Sequence, residues 1–123
     1  MAFQTLTLPP KSAVGSLDSE IANDGWKVEI DGAIVGSLQL TYIPYLTHSG
    51  ALRALVEAVR IASDRRGMGL GHALFAWVVA HVRDRGCDVL QLTTDKRRVD
   101  AHRFYEDLGF VASHEGMKLS LHD

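Results

Sequence analysis

The chain has a single cysteine in 123 residues, Cys87, so an internal disulfide is excluded and nothing covalent staples the fold. At this length a hydrophobic core is large enough to manage without one. No apolar stretch approaches the roughly 20 residues that span a bilayer. The longest candidate, Ala73 to Val82, is interrupted by His81. Charge of one sign is also missing: 13 Lys and Arg stand against 15 Asp and Glu, a formal net charge of -2. That balance supplies no basic field to draw the chain to nucleic acid. The histidines His48, His72, His81, His102, His114 and His122 are scattered without the spacing of a zinc site, so no metal is expected. Internal repeats and low-complexity segments are absent. The start, Met1-Ala2-Phe3-Gln4, lacks a signal-peptide pattern, which makes a cytoplasmic location the default expectation. What remains, 46% hydrophobic and 23% charged residues, is the composition of one ordinary globular domain.

The pattern along the chain sets an order of elements. Pro9-Pro10 and Gly15-Ser16 break the first 25 residues, where Ser16 can cap a short helix through Ala22. Trp26 to Ile30 alternates apolar and polar residues as a half-buried strand does. Asp31-Gly32 then supplies a tight hairpin turn into a second strand, Ala33 to about Tyr42. Ile43 to Gly50 reads as a loop. Ala51 to Ser63 reads as a long strand on which Leu55, Glu57, Val59 and Ile61 share one parity. His72 to Arg85 has helical spacing, with Leu74, Trp77, Val78, His81 and Val82 along one stripe and Gly86 as the stop. A strand at Val89 to Thr94, a helix at Val99 to Leu108 ended by Gly109, and a final strand pair at Phe110–Ala112 and Met117–Leu121 complete the order. The sum is a mixed α/β domain around one central sheet.

The segment Arg66-Gly67-Met68-Gly69-Leu70-Gly71 joins the long strand to the helix that opens at His72. Such a turn is an anion site, because glycines let the backbone approach and the first helical N–H groups point outward. Two nucleotide fingerprints fail on spacing. A Walker A loop counted from Gly67 meets His72 where its second glycine belongs, and no lysine follows. A dinucleotide fingerprint meets His72 or Leu74 in place of its third glycine. The pattern Arg/Gln-x-x-Gly-x-Gly/Ala is met by Arg66, Gly69 and Gly71. With Ala101-His102-Arg103-Phe104-Tyr105-Glu106-Asp107-Leu108-Gly109-Phe110 as a second signature in the right order, the sequence resembles the GNAT family of N-acetyltransferases over roughly Trp26 to Leu121. The resemblance implies a single-domain fold with a mixed central sheet flanked by helices. It implies acetyl-CoA as acyl donor, its pyrophosphate on residues Arg66, Gly67, Met68, Gly69, Leu70, Gly71 and His72, and its pantetheine arm along backbone near Val59 and Ile61. It also implies a variable N-terminal segment at 1–25 ahead of an acyl-CoA N-acyltransferase domain at 26–123.

Direct acyl transfer from a thioester to an amine needs a base for the amine proton and an acid for the departing thiolate. Glu57 is the base candidate, since a carboxylate on the apolar parity of a central strand is costly unless paired or functional. Its alternative is an ion pair with Arg53 or Arg60. Some GNAT members place a glutamate on this strand in that role. Tyr105 matches the family tyrosine near the thioester sulfur, and a phenol donates a proton without itself being cationic; its alternative is a core tyrosine beside Phe104. No covalent intermediate is required, so Cys87 reads as structural. His102 lies one turn before Tyr105, and a catalytic or phosphate role for it stays open. Lys96-Arg97-Arg98 reads either as a solvated patch or as a contact for the 3′-phosphate of CoA, with Arg98 standing where many family members have asparagine. The two helices that shape the acceptor site in the family are compressed here into residues 1–25. The acceptor pocket, for a small-molecule or peptide amine, is then either open or completed by a second subunit in a homodimer. The competing reading is an acyl-CoA-binding module without efficient catalysis.

Overall fold

The computed structural model of the chain describes residues 3–7, 23–44, 51–67 and 69–122. The expected helix from Ser16 to Ala22 and most of the expected loop up to Gly50 lie outside them. The described chain divides into two compact units, Met1–Leu92 and Thr93–Asp123.

The first unit is built on a five-stranded sheet in sequence order, β1 (Phe3–Thr7), β2 (Asn23–Ile30), β3 (Ala33–Pro44), β4 (Leu52–Ile61) and β5 (Val89–Gln91). The middle pairings β2–β3 and β3–β4 are antiparallel, while β1 and β5 at the two edges run parallel to their neighbours. Asp31 and Gly32 turn β2 into β3 with φ of 51° and 81°, the conformation a two-residue hairpin of this hand demands. β3 runs through Ile43 and Pro44, which pair with Arg53 and Leu52, so the first two residues of the expected loop belong to the strand. β5 is shorter than expected, because β4 offers it partners at Arg53, Ala54 and Leu55 alone.

One helix, α1 (Leu70–Asp84), covers a face of this sheet. Leu74, Phe75, Trp77, Val78 and Val82 form its buried stripe, and Trp26, Val28, Leu38, Leu40, Ala54 and Val56 are buried on the strands. Trp77 packs edge-on to Trp26, 4.9 Å between ring centroids, and stacks on His81 at 4.5 Å. Truncating Trp26, which is fully buried, removes the centre of this layer and costs about 3–5 kcal/mol. The helix ends as its sequence predicts. Gly86 takes φ of 85°, its N–H bonds to the Arg83 carbonyl at 2.9 Å, and the Cys87 N–H reaches back to the Val82 carbonyl at 3.0 Å. No helix among the described residues is long and apolar enough to cross a membrane.

The second unit holds α2 (Val99–Asp107), whose stop repeats that device. Gly109 has φ of 101° and donates to Glu106, and Phe110 donates to the Tyr105 carbonyl at 3.0 Å. The expected strand pair beyond it is not formed. Residues 110–122 carry no regular structure, and Val111, Met117, Leu119 and Leu121 are more than four-fifths exposed. Alternation marks which side chains can share a face, but it supplies no partner edge, and a lone two-stranded ladder is marginal in water.

Candidate functional site

The site begins with an irregularity in β4. Ser37 pairs with Arg60 and Gln39 with Glu57, so Leu38 alone faces two residues, Ala58 and Val59. Ala58 absorbs the extra residue with φ of 52°, a left-handed conformation that is costly for a side chain other than glycine. The bulge reverses which residues point inward. Ala54 and Val56 are buried before it, whereas after it Val59 and Ile61 are half-buried and Arg60 is exposed. On its other side β4 is bridged to β5 no further than Leu55. From Val56 to Ile61 that edge of β4 therefore has no strand partner among the described residues. Apart from the Ile61 carbonyl, which the Arg66 side chain reaches, the backbone groups of that edge suit pairing with an extended ligand arm.

β4 then feeds a turn with two left-handed glycines. The Ala62 N–H bonds to the Val35 carbonyl at 2.7 Å, a 3-10 turn follows at Ser63–Arg65, and the Arg66 side chain donates from Nε to the Ile61 carbonyl at 3.4 Å. Gly67 and Gly69 have φ of 78° and 74°, and a Cβ at either would meet nothing within 4 Å. They are glycines for conformation, and the space above them stays open. The first intrahelical bond of α1 runs from Ala73 to the Gly69 carbonyl at 3.1 Å, which leaves the Leu70 and Gly71 N–H groups ahead of the ladder. Together with the helix dipole they suit an anion such as a pyrophosphate. Arg66, Gly67, Gly69 and exposed His72 stand around this helix start; Met68 lies outside the described residues.

Glu57 differs from its sequence-based placement. It is exposed, opposite Gln39, and the burial that was to raise its basicity is absent. The cause is the bulge, which separates Leu55 and Glu57 from the inward face taken by Val59 and Ile61. The alternative, an ion pair with Arg53 or Arg60, is also absent among the described residues; Arg53 donates instead to the Gln91 side chain at 3.1 Å. Glu57, Val59, Ile61 and the glycine turn thus lie along one strand and its exit. Cys87 sits past the far end of α1, with burial holding its thiol above the ordinary range against the pull of Arg85. His81 has its pKa lowered, chiefly by burial and then by Arg85.

Tyr105 belongs to the second unit. Its ring lies edge-on to Phe104 at 5.3 Å and to Phe110 at 5.7 Å, the second being the apolar contact that accompanies this helix stop. Burial lifts its phenol above the usual range, and Arg98 partly offsets this, so the group is protonated at neutral pH. His102 Nε2 and Thr94 Oγ1 are buried without a hydrogen-bond partner among the described residues. In the basic run, Arg97 is engaged by Asp95 through two side-chain bonds of 2.8 and 3.0 Å, and that contact pulls the exposed Asp95 carboxyl down to about 2. An open depression of about 370 Å³ is lined by Arg97, Arg98, Val99, Asp100 and Ala101. The described residues contain no group of three or more His, Cys, Asp or Glu that could hold a metal ion.

Sequence reasoning missed the bulge, although its trace was present. The apolar parity runs Ala54, Val56 and then Val59, Ile61, and a switch between even and odd requires one inserted residue.

A sequence model of the acetyltransferase (GNAT) family matches residues 10–110. The chain belongs to this family. Among curated relatives, an aminoalkylphosphonate N-acetyltransferase of Salmonella typhimurium is 33% identical over 84 residues, covering 68% of this chain and 54% of the relative. A glucosamine 6-phosphate N-acetyltransferase of Trypanosoma brucei brucei is 36% identical over 90 residues, covering 73% and 59%. The chain thus spans somewhat more than half the length of these two relatives. A crystal structure described as a transcriptional regulator from Bacillus halodurans C-125 has the same fold, with a TM-score of 0.77 and 47% identity over 85% of this chain and 69% of that one.

Proposed function

We propose that this chain is an N-acetyltransferase that takes an acetyl group from acetyl-CoA and passes it directly to a primary amine. The observation that carries the reading is the continuity of the open β4 edge, from Val56 to Ile61, with a helix start preceded by two left-handed glycines. An extended arm ending in a pyrophosphate fits that path: peptide-like groups pair with the strand, and the anion meets the Leu70 and Gly71 N–H groups. In this reading Val59 and Ile61 line the arm, and Arg66, Gly67, Met68, Gly69, Leu70, Gly71 and His72 hold the phosphates. Arg98 and Lys96 are the members of the basic run left for a 3′-phosphate, since Arg97 is held by Asp95.

Acetyl-CoA supplies an activated thioester, and the protein supplies positions and protons. The amine nitrogen forms its bond to the thioester carbonyl carbon as the carbon–sulfur bond breaks. Glu57, exposed and reached through water, takes the amine proton. Tyr105 gives its phenolic proton to the departing sulfur. Residues 26–123 make up the acyltransferase domain in this account, with a variable segment before it, and the location is the cytoplasm. The acceptor is a small molecule. The two relatives named above act, by their names, on amines that bear a phosphonate or a phosphate, so these head the panel of acceptors.

The test is release of free CoA from acetyl-CoA with a panel that includes an aminoalkylphosphonate, glucosamine 6-phosphate and a peptide amine. Turnover above the hydrolysis background with at least one small amine is expected. CoA binding without turnover for any amine would instead favour an acyl-CoA-binding module.

A further inference from the structure

The glycines of this chain do two different jobs. Gly32, Gly67, Gly69, Gly86 and Gly109 have positive φ, and a Cβ at any of them would meet nothing within 4 Å. Gly36, in the middle of β3, is the reverse case. Its φ is not in the left-handed region, yet a Cβ there would sit 2.5 Å from the Arg60 carbonyl oxygen and 3.4 Å from Ile61 Cδ1. The obstacle is backbone, so it cannot swing aside as the end of a side chain does.

Gly36 also lies between two irregularities. β2 and β3 change register at Val28/Glu29, where Val28 pairs with Gly36, and β3 and β4 change register between Ser37 and Gln39. Next to it, the Val35 carbonyl accepts the Ala62 N–H at 2.7 Å, the last backbone–backbone bond among the described residues between the sheet and the chain leaving β4. Beyond that tie come the 3-10 turn and the glycine turn, with Arg66 bonded back to Ile61. The direction in which β4 delivers the loop is therefore set where β3 closes on Arg60, and only a residue without a side chain permits that approach.

We propose that Gly36 is a positioning residue for the acyl donor: its missing side chain lets β3 grip the exit of β4 and so fixes the glycine turn where it meets the phosphates. The inference rests on the donor reading given above. A methyl group at Gly36 pushes the Arg60–Ala62 backbone away and moves the turn, while the acid and base candidates, Tyr105 and Glu57, keep their identity.

The experiment is calorimetric titration with CoA together with steady-state kinetics for wild type, Gly36→Ala, Ala62→Pro and Leu40→Ala. Ala62 has φ of -55°, so proline fits its backbone and removes only the N–H that bonds Val35. For Gly36→Ala and Ala62→Pro, Kd for CoA and KM for acetyl-CoA should each rise roughly tenfold while kcat stays within about twofold. Leu40→Ala, which opens the core elsewhere on β3, should lower the melting temperature without moving Kd. Should Gly36→Ala not fold, the Ala62→Pro arm reads the same link. If wild type binds CoA and both variants bind it equally well, Gly36 has no positioning role. If wild type does not bind CoA, the donor reading falls and the proposal with it.

Discussion

At the scale of single residues, the proposed chemistry draws on an exposed carboxylate, Glu57, and a sheltered phenol, Tyr105. Tyr105 is held by Phe104 and Phe110 and is protonated at neutral pH because burial disfavours its phenolate. Tyr105→Phe keeps the ring packing and removes only the proton. Turnover should fall about 100-fold with Kd for CoA changed less than about twofold, measured by stopped assays and titration. Equal losses in both would make Tyr105 a packing residue of the helix stop. The sign of its pH effect follows from the raised pKa. Proton donation is complete through neutrality and is lost only as pH climbs past the ordinary tyrosine range, so the wild-type alkaline limb should lie above that range. In the proposed reading Glu57 acts at the other end of the profile. A fixed base matters most where free amine is scarce, so Glu57→Gln should depress kcat/KM most at low pH, by about tenfold or more near pH 6. A rate profile that keeps its acidic limb unchanged removes Glu57 from the chemistry.

At the scale of elements, the sequence was legible wherever the constraint was local. The hairpin at Asp31-Gly32 and both helix stops at Gly86 and Gly109 are short-range demands on φ, and each appears where the residues predicted it. The glycine turn was legible for the same reason. The bulge at Ala58 left only the parity switch from Val56 to Val59 as its trace, because alanine itself has no preference for a left-handed backbone. That single residue moved Glu57 from the expected apolar face to solvent. The strain it stores is open to measurement. Ala58→Gly relieves the left-handed penalty and adds some unfolded-state entropy, for a net gain of about 0.5–1 kcal/mol in urea denaturation. An unchanged or lower midpoint would mean that the bulge is not strained. The terminal strands at Phe110–Ala112 and Met117–Leu121 failed for the opposite reason, since pairing is a non-local event that alternation cannot report.

At the scale of the whole molecule, the chain is a GNAT family member that spans somewhat more than half of the two curated relatives considered above. Its first unit carries the proposed donor path from the bulge to the start of α1, and its second carries Tyr105. The central claim is that this path receives the arm and pyrophosphate of the donor, the basic run ahead of α2 taking no more than its 3′-phosphate. Amide chemical shifts of the 15N-labelled protein titrated with CoA test it most directly. The account predicts saturable shifts concentrated at Val59, Ile61, Gly67, Gly69, Leu70 and Gly71. Shifts confined to Lys96, Arg97 and Arg98, with the glycine turn unmoved at saturating CoA, would contradict it.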